Sequence, residues 1–463
     1  MKNQLPVLGQ TTSSLRRDGH RNWVHPADVK GRFTSLRRWG FAALIAIYAV
    51  TPWITIGGHP AVFLDIARRK FYLFGATFNA QDFWLSFFLF SGIGFLLIVA
   101  TALAGRVWCG YACPQTVFLE GVFRRIERLI EGPRSKRIKR NAGPMTFDKV
   151  WRKTVKHVAF VVSALAVAHI FLSYFVSLPG VFEMVQRNPA EHPEAFAWAM
   201  GMAGLMYGNF AFFREQLCLI VCPYGRLQSV LMDNDSIIVG YDEKRGEPRG
   251  KAKDPDAGAC VSCSRCVTVC PTGIDIREGL QLDCIGCANC IDACDEVMGK
   301  LGRDPGLIRY DSLNGLEGKA KRFIRPRLFM YVVLGAVGLA VASYSLQGRT
   351  VYEANLLRQP GAPFVVTDDG DVRNAFEIHL VNKLEGDATF RIRSLTDDVE
   401  LVIPLAEVTI GSLEGTHIPI FATVLQEDLD GRSAGREVRI EVALDGAPEE
   451  TRVVTATFLA PGN

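Results

Sequence analysis

Residues 260–294 carry two successive cysteine runs, Cys260-Val-Ser-Cys263-Ser-Arg-Cys266-Val-Thr-Val-Cys270 and Cys284-Ile-Gly-Cys287-Ala-Asn-Cys290-Ile-Asp-Ala-Cys294. Each run has the spacing C-x2-C-x2-C-x3-C, and thirteen residues separate the two runs. This spacing is typical of chains that bind two [4Fe–4S] clusters, in which three thiolates of one run and the last thiolate of the other run hold the same cluster. The segment therefore predicts a dicluster domain of the ferredoxin type.

The crossed pattern assigns each of these eight cysteines to one of two sites. We expect one cluster to be held by Cys260, Cys263, Cys266 and Cys294, and the other by Cys284, Cys287, Cys290 and Cys270. Small residues such as Ser262 and Gly286 let backbone N–H groups approach the sulfides and help to set the reduction potential. Pro271 follows the first run and Asp295 the second, a departure that leaves the ligands unchanged.

Two alternatives compete for the same eight cysteines. Structural zinc sites usually use C-x2-C pairs alone, without a third cysteine and the x3 step. A disulfide framework requires an oxidising compartment, and the distribution of charge places this segment in the cytoplasm. Two [4Fe–4S] clusters are therefore the favoured prediction.

The composition indicates a membrane protein. The chain has 463 residues, enough for two or three domains, and 49% of them are hydrophobic. Residues 350–463 hold 20 acidic and 9 basic side chains, which gives −11 there and leaves +15 on the remainder. A basic remainder is typical of the cytoplasmic flanks of membrane helices rather than of a nucleic-acid binder. The first 35 residues are polar and lack the apolar segment of a signal peptide.

Five apolar stretches are long enough to cross a bilayer, which takes about 20 helical residues. They are Trp39–Ile56, Phe83–Ala104, Val158–Leu178, Ala195–Phe213 and Leu328–Leu346. The loop 105–157 between the second and third stretches carries thirteen Lys and Arg residues. The positive-inside rule then places the N terminus, this loop and the segment 214–326 in the cytoplasm, and the C terminus outside.

Beyond residue 350, short runs of alternating hydrophobic and polar residues replace the apolar stretches. Examples are 376–381, 389–393, 436–442 and 452–458. Turn residues such as Asp445-Gly446 separate them. Period-two alternation over about 110 residues predicts an antiparallel, Ig-like β-sandwich.

Taken together, these patterns predict a polytopic α-helical membrane protein of five transmembrane helices, with an inserted ferredoxin domain for two [4Fe–4S] clusters and a C-terminal Ig-like β-sandwich. The predicted parts are a cytoplasmic N-terminal arm at 1–36, a four-helix membrane domain at 37–232, a cytoplasmic ferredoxin domain at 233–326, a fifth transmembrane helix at 327–348 and a periplasmic β-sandwich at 350–463.

A second set of cysteines lies at the ends of the second and fourth apolar stretches, in two C-x3-C-P motifs. They are Cys109 and Cys113, followed by Pro114, and Cys218 and Cys222, followed by Pro223. If each motif is helical, its two sulfurs share one face a turn apart, and the proline restarts the helix beyond them. Four soft thiols at the same depth could hold Cu(I), a copper ion undergoing reduction or another thiophilic metal. The alternative is that cysteine serves here as a small apolar residue.

The histidines are less informative. His157 and His169, in the third stretch, could be ligands or proton carriers, or neutral side chains that pack between helices. His59, with Asp65 and Asp82, is predicted to lie outside, where a quinol pocket is a further hypothesis.

These residues together resemble the CcoG/FixG/RdxA family of accessory proteins for cbb3-type cytochrome c oxidase. The resemblance rests on the paired C-x3-C-P motifs, the tandem ferredoxin runs, a fifth span with an external β-sandwich, and the stretches 61–75 and 81–83. It covers nearly the whole chain. The core without the C-terminal domain is also similar to the NapH and NosR type of membrane ferredoxin.

The resemblance implies an oxidoreductase of the bacterial inner membrane, a cupric reductase that delivers Cu(I) for the oxidase's copper centre. It implies Cys109, Cys113, Cys218 and Cys222 as the thiols nearest to copper. Its expected partners are the oxidase subunits or copper-delivery proteins, an unidentified electron donor and the lipid bilayer, with a homodimer left open. Two other hypotheses remain: a quinol or ferredoxin electron conduit to a periplasmic reductase, and a redox-sensing regulator.

Overall fold

The computed structural model describes residues 21, 23–79, 84–322, 325–347, 350–384, 386–428 and 435–461. Most of the predicted N-terminal arm, together with Gln81, Asp82 and Phe83, lies outside these ranges. The chain divides into two units, residues 1–341 and 342–463.

The first unit is mainly helical. Its helices, with α15 running past the unit boundary, are α1 Arg32–Val50, α2 Trp84–Ala104, α3 Val107–Tyr111, α4 Pro114–Phe118, α5 Arg124–Glu131, α6 Arg134–Ala142, α7 Phe147–Val176, α8 Leu178–Gln186, α9 Pro193–Gly208, α10 Pro223–Leu231, α11 Glu243–Gly246, α12 Arg265–Thr268, α13 Asn289–Lys300, α14 Leu313–Leu316 and α15 Pro326–Gln347. Wide π-turns occupy Leu119–Phe123, Asn209–Phe213 and Leu217–Val221, and short 3-10 turns occupy Thr51–Trp53, Pro189–Glu191 and Ile276–Glu278.

Among the described residues, three helices are long and apolar enough to cross a membrane: α2, α7 and α15. Helix α7 begins eleven residues before the predicted stretch and has 30 residues. The first predicted stretch is divided, because α1 ends at Val50 and Pro52 follows in a 3-10 turn. The fourth stretch is a helix of 16 residues that widens into a π-turn. All five stretches therefore contain helix, but only three meet the length and apolarity that a span requires.

The strands of the first unit are short. They are β1 Thr55–Ile56, β2 His59–Pro60, β3 Val62–Asp65, β4 Lys70–Leu73, β5 Ala76–Asn79, β6 Ile238–Tyr241 and β7 Ile308–Asp311. Strands β6 and β7 pair antiparallel, with Ile238 opposite Asp311. This two-stranded sheet brings the two ends of the cysteine-rich segment together and packs its buried residues against the cysteines.

The cysteine-rich segment also contacts α1. Asp292 of α13 accepts hydrogen bonds from the backbone N–H of Phe33 (3.2 Å) and of Thr34 (2.6 Å). The first N–H groups of a helix lack partners within the helix, so this carboxylate satisfies the start of α1. Gly31 allows the approach, because a Cβ there would lie 2.2 Å from the Asp292 carboxyl carbon.

The second unit is a β-sandwich, as predicted. Its strands are β8 Tyr352–Arg358, β9 Val365–Val366, β10 Val372–Asn382, β11 Ala388–Ser394, β12 Glu400–Val402, β13 Glu407–Ile410, β14 Gly415–Val424, β15 Glu437–Leu444 and β16 Ala447–Thr457. One sheet has the order β12-β14-β10-β8, with β9 beside β10, and the other has the order β13-β11-β15-β16. Alternate residues of β10 and β14, such as Phe376, Ile378, Ile418 and Ile420, are fully buried between the sheets.

We expect Phe376→Ala to destabilise this sandwich by about 3–5 kcal/mol, because it leaves a cavity in a fully buried site. The measurement is hydrogen exchange of the β10 and β14 amides by mass spectrometry in the full chain. Val402→Ala is the matched control, since that side chain is 50% exposed and its loss should change exchange little. Equal effects of the two substitutions would contradict the assigned core.

Candidate metal centres

The eight cysteines of the two runs line two separate cavities in the first unit. One cavity is lined by Cys260, Cys263, Cys266 and Cys294, the first predicted ligand set. The other is lined by Cys270, Cys284, Cys287 and Cys290, the second predicted set, and also by Cys266. Apart from this second position of Cys266, which lines both cavities, each cavity draws three thiols from one run and the fourth from the other.

The walls of both cavities are mainly apolar. Tyr241, Met298, Leu307 and Ile308 line the first cavity. Val239, Ile274, Ile276 and Ile285 line the second. An apolar shell limits access of solvent, which tunes the potential of a metal site.

The two runs follow the same backbone path. Ser262 and Ser264 have φ of 55° and 53°, and the equivalent Gly286 and Ala288 have φ of 67° and 60°. The left-handed conformation is unfavourable for residues with a Cβ, so its repetition in three such residues indicates a loop shape that the site requires. The two runs differ in the residue that follows them, which is Pro271 after the first run and Asp295 after the second. Because no proline interrupts the helix after the second run, α13 continues through Cys294 to Lys300.

Burial raises the pKa of several of these thiols. The pKa rises to about 11 for Cys266 and Cys287 and to about 12 for Cys284 and Cys294. Nearby cations oppose the effect of burial: Arg277 for Cys266, Arg37 for Cys287 and Arg106 for Cys284. Iron binds the thiolate form, so cluster insertion would release these protons. Two enclosed cavities, each lined by four thiols of one predicted set, fit two [4Fe–4S] clusters.

The C-x3-C-P motifs do not form continuous helices, so the condition for two sulfurs on one helical face is not met. Cys109 lies in α3, whereas Cys113 is extended, with ψ of 126°, just before α4. Cys218 lies in the π-turn Leu217–Val221, and Cys222 is extended, with ψ of 112°. A residue that precedes proline is disfavoured in the helical region, which explains both breaks. Pro114 and Pro223 begin new helices, as predicted.

The structure nevertheless brings the four thiols of the two motifs together. Burial is the main cause that raises the pKa of Cys109 to about 11 and that of Cys218 to about 12, and the other motif thiols raise both further. Within the described ranges, no three His, Cys, Asp or Glu side chains are arranged to hold a single metal ion. The four thiols are therefore gathered but do not form a closed mononuclear site.

Arg106 joins the two motifs to the second cysteine run. Its Nε donates to Gln228 Oε1 (2.9 Å), and its guanidinium also contacts the carbonyls of Gly225, Leu282 and Cys284. Gln228 is fully buried, and its Oε1 lies 3.3 Å from the Sγ of Cys109. One cation thus fixes α10, the ligand-bearing loop and the thiol of the first motif relative to each other.

The backbone of α3 lies directly against the loop of the second cysteine run. A Cβ on Gly110 would lie 2.8 Å from the carbonyl oxygen of Ile285 and 3.0 Å from the Cα of Cys287. A Cβ on Gly286 would lie 3.1 Å from the Arg106 carbonyl. A side chain at Gly110 would force the two backbones apart, and one at Gly286, where φ is 67°, would be crowded and strained. The chain around Cys109 is therefore adjacent to the loop of the second cavity.

A buried network of ion pairs supports the second motif. Arg214 Nη2 lies 2.7 Å from Glu127 Oε2, and Arg137 and Lys156 also contact this carboxylate. Burial tends to raise the pKa of Glu127, but these cations, Arg214 foremost, lower it to about 2. Arg124 lies 2.9 Å from Glu215 and donates to the carbonyl of Pro271 (3.1 Å).

We expect Glu127→Gln to destabilise the first unit by about 3–5 kcal/mol, because it leaves three buried cations around a neutral amide. The free energy of unfolding would be measured by SDS titration of the purified protein in detergent. Glu183→Gln is the control: its pair with Arg187 is more than half exposed, so we expect about 0–1 kcal/mol. A cost for Glu127→Gln no larger than the control would be inconsistent with a buried pair.

The histidines singled out in the sequence form hydrogen bonds or ring stacks with neighbouring residues. His169 Nδ1 lies 2.8 Å from the carbonyl of Leu165, one turn earlier in α7. His157 Nδ1 lies 3.0 Å from the hydroxyl of Tyr207. His59 stacks on Tyr72 at 4.0 Å and, with Asp65, lines a cavity of about 1620 Å³. Asp82 lies outside the described residues.

Sequence reasoning missed Gln228, Gly110, Asn289 and Arg37 as parts of these sites. Arg37 donates to Asn289 (2.8 Å), the residue before Cys290, and to the carbonyl of Gly110 (2.9 Å). The available signals were weak, namely a glycine directly after Cys109 and an arginine just before an apolar stretch.

Three family models match parts of the chain. Residues 213–313 match a model described as a 4Fe-4S dicluster domain, and residues 85–139 match a 4Fe-4S binding domain. Residues 342–461 match the IG-like fold at the C-terminal of FixG. Fold and site thus define an iron–sulfur electron-transfer protein of the membrane type, with an Ig-like C-terminal domain.

Three curated relatives give the family. Protein RdxA of Cereibacter sphaeroides is 35% identical over 92% of this chain and 94% of its own length. Nitrogen fixation protein FixG of Rhizobium meliloti is 35% identical over 96% of this chain and 93% of its own. Protein RdxB of Cereibacter sphaeroides is 36% identical over 85% of this chain and 86% of its own length. The chain belongs to the FixG/RdxA family.

Proposed function

We propose that this chain is a cupric reductase that supplies Cu(I) for the copper centre of cbb3-type cytochrome c oxidase. The observation that carries the proposal has two parts: the four C-x3-C-P thiols lie close enough to raise one another's pKa, and Gly110, the residue after Cys109, packs against the loop of the second cysteine run. A metal ion bound at these thiols would be adjacent to the source of electrons.

The eight cysteines of the two runs would hold two [4Fe–4S] clusters, which supply single electrons when bound. Reduction of Cu(II) to Cu(I) takes one electron and requires no general acid or base. The thiols of Cys109, Cys113, Cys218 and Cys222 are soft ligands that favour Cu(I) over Cu(II), so they favour the reduced product.

The membrane arrangement that we propose keeps all five predicted helices as spans. The charge pattern supports a cytoplasmic N terminus and cysteine-rich segment, and a periplasmic β-sandwich in the bacterial inner membrane. The sandwich would dock the oxidase subunits or a copper-delivery protein.

The test is anaerobic purification, followed by iron, sulfide and copper analysis and by addition of Cu(II) to the dithionite-reduced protein freed of excess reductant. We expect the visible absorbance of the oxidised clusters to return as Cu(I) appears in a chelator trap, one Cu(I) per electron. Failure of Cu(II) to reoxidise the reduced protein would refute the proposal. The iron analysis also tests whether the C-x3-C-P thiols hold a third cluster, since residues 85–139 match a 4Fe-4S binding domain. Two clusters give about 8 iron atoms per chain, and a third cluster would give about 12.

A quinol-dependent electron conduit to a periplasmic reductase is the second candidate. It is favoured by the cavity of about 1620 Å³, which is lined mainly by apolar side chains together with His59, Asp65 and His192. Reduction of the clusters by a short-chain quinol, with no Cu(I) formed on addition of Cu(II), would support the conduit and exclude the reductase.

A further inference from the structure

A cavity of about 90 Å³ between α1, α5 and the extended segment 26–29 is lined by an unusual number of cations. Six of its lining residues are Arg37, Arg38, Arg124, Arg125, Arg128 and Arg137. Asp28 and Glu120 are the acidic residues of its lining. The positive charge of the lining thus exceeds the negative charge by four.

Three of these arginines already have carboxylate partners. Arg124 pairs with Glu120 and Glu215, Arg128 pairs with Asp28, and Arg137 pairs with Glu127. Across the described ranges, Arg37, Arg38 and Arg125 have no carboxylate within ion-pair distance. Arg37 and Arg38 instead donate to neutral oxygens, those of Asn289 and of the Gly110 and Val29 backbone.

Several guanidinium nitrogens of the lining also lack hydrogen-bond partners in the part of the chain that the structure describes. These are Nη2 of Arg37, Nε of Arg124 and Nε of Arg137. The three residues are only 4%, 7% and 3% exposed, so water cannot replace the missing acceptors freely. Buried donors without acceptors, and buried cations without counter-ions, are costly in a folded protein. The pKa of Arg125 is lowered by burial and by the positive charges of Arg38 and Arg128, as expected where cations are crowded.

We propose that this cavity binds a phosphate-bearing anion. A tetrahedral phosphate has several acceptor oxygens, and the planar fork of N–H donors on arginine matches them in pairs. The volume suits one such group. Arg38 is exposed and Arg125 is half-buried, so the anion has a route of entry past them. The phosphate could be free or part of a lipid headgroup, since exposed apolar residues such as Trp39 and Ile47 follow along α1.

The test is calorimetric titration of the intact iron-loaded protein in detergent with inorganic phosphate, at constant ionic strength set by chloride. We expect saturable binding, weakened at least about tenfold in the double variant Arg38→Gln/Arg125→Gln. Neither residue pairs with a carboxylate, so we expect the variant to keep its iron, which would be measured as the check on folding. Arg187→Gln, far along the chain in an exposed pair, is the control and should bind as the parent does.

A second arm uses nanodiscs of phosphatidylcholine with or without phosphatidate. Binding of phosphatidate but not of free phosphate, lost in the double variant, assigns the site to a lipid headgroup, and the reverse assigns it to the free anion. No saturable binding of either probe would overturn the proposal. Unchanged binding in the double variant, or equal affinity for chloride, would do so as well.

Discussion

Cys294→Ala is expected to remove the cluster associated with the first cysteine run, although Cys294 belongs to the second run. The reason is that Cys294 lines the cavity of Cys260, Cys263 and Cys266. Iron content should fall from about 8 to about 4 atoms per chain, and the electron paramagnetic resonance signal of one reduced cluster should disappear. Metal analysis and spectroscopy of anaerobically purified protein provide the measurement.

Double variants make this prediction sharper, because they show which thiols share a cluster. Cys263→Ala/Cys294→Ala should keep about 4 iron atoms, since both thiols line one cavity. Cys287→Ala/Cys294→Ala should lose nearly all iron, since Cys287 lines the other. The opposite pattern would show that each run holds its own cluster and that the crossed assignment is wrong.

The second large effect is expected from the C-x3-C-P thiols. Replacing Cys109, Cys113, Cys218 and Cys222 together by serine should lower the rate of Cu(II) reduction at least about tenfold, because oxygen is a poorer ligand for Cu(I) than sulfur. The rate would be followed as Cu(I) trapped by a chelator, starting from dithionite-reduced protein.

Two controls separate loss of the copper site from loss of the electron supply. The quadruple variant should retain about 8 iron atoms per chain. It should also reduce ferricyanide, which needs no thiol ligand, at the parental rate. Unchanged Cu(II) reduction in this variant would remove the C-x3-C-P thiols from the proposed function.

The spacing predicted which cysteines share a cavity, because two successive runs of this type typically exchange their last thiol. Alternation likewise predicted the β-sandwich, since buried and exposed positions along β10 follow the period of a strand. In both cases the local sequence pattern directly reflects the tertiary structure: the cysteine spacing reflects the shape of the cavity, and the alternation reflects which side of the sheet is buried.

Other features could not be predicted, because they depend on contacts distant in sequence. The π-turn at Cys218 has no local signal, because C-x3-C spacing is equally compatible with a regular helix. Asp292 satisfies the start of α1 from 258 residues away, for which no local signal exists. The contacts that Arg106 makes with three segments could not be predicted either, because the sequence shows only that an arginine precedes Cys109.

The close approach of Gly110 and Gly286 has a consequence for how the protein matures in the cell. A Cβ on Gly110 would lie 2.8 Å from the Ile285 carbonyl oxygen, so this junction tolerates only small departures of the loop 284–287 from its final shape. That shape depends on the metal its thiols bind, because flexible cysteine loops gain order from ligation. Iron insertion should therefore precede the closure of this junction, and cells starved of iron should accumulate newly made chains that remain open to proteases at this place.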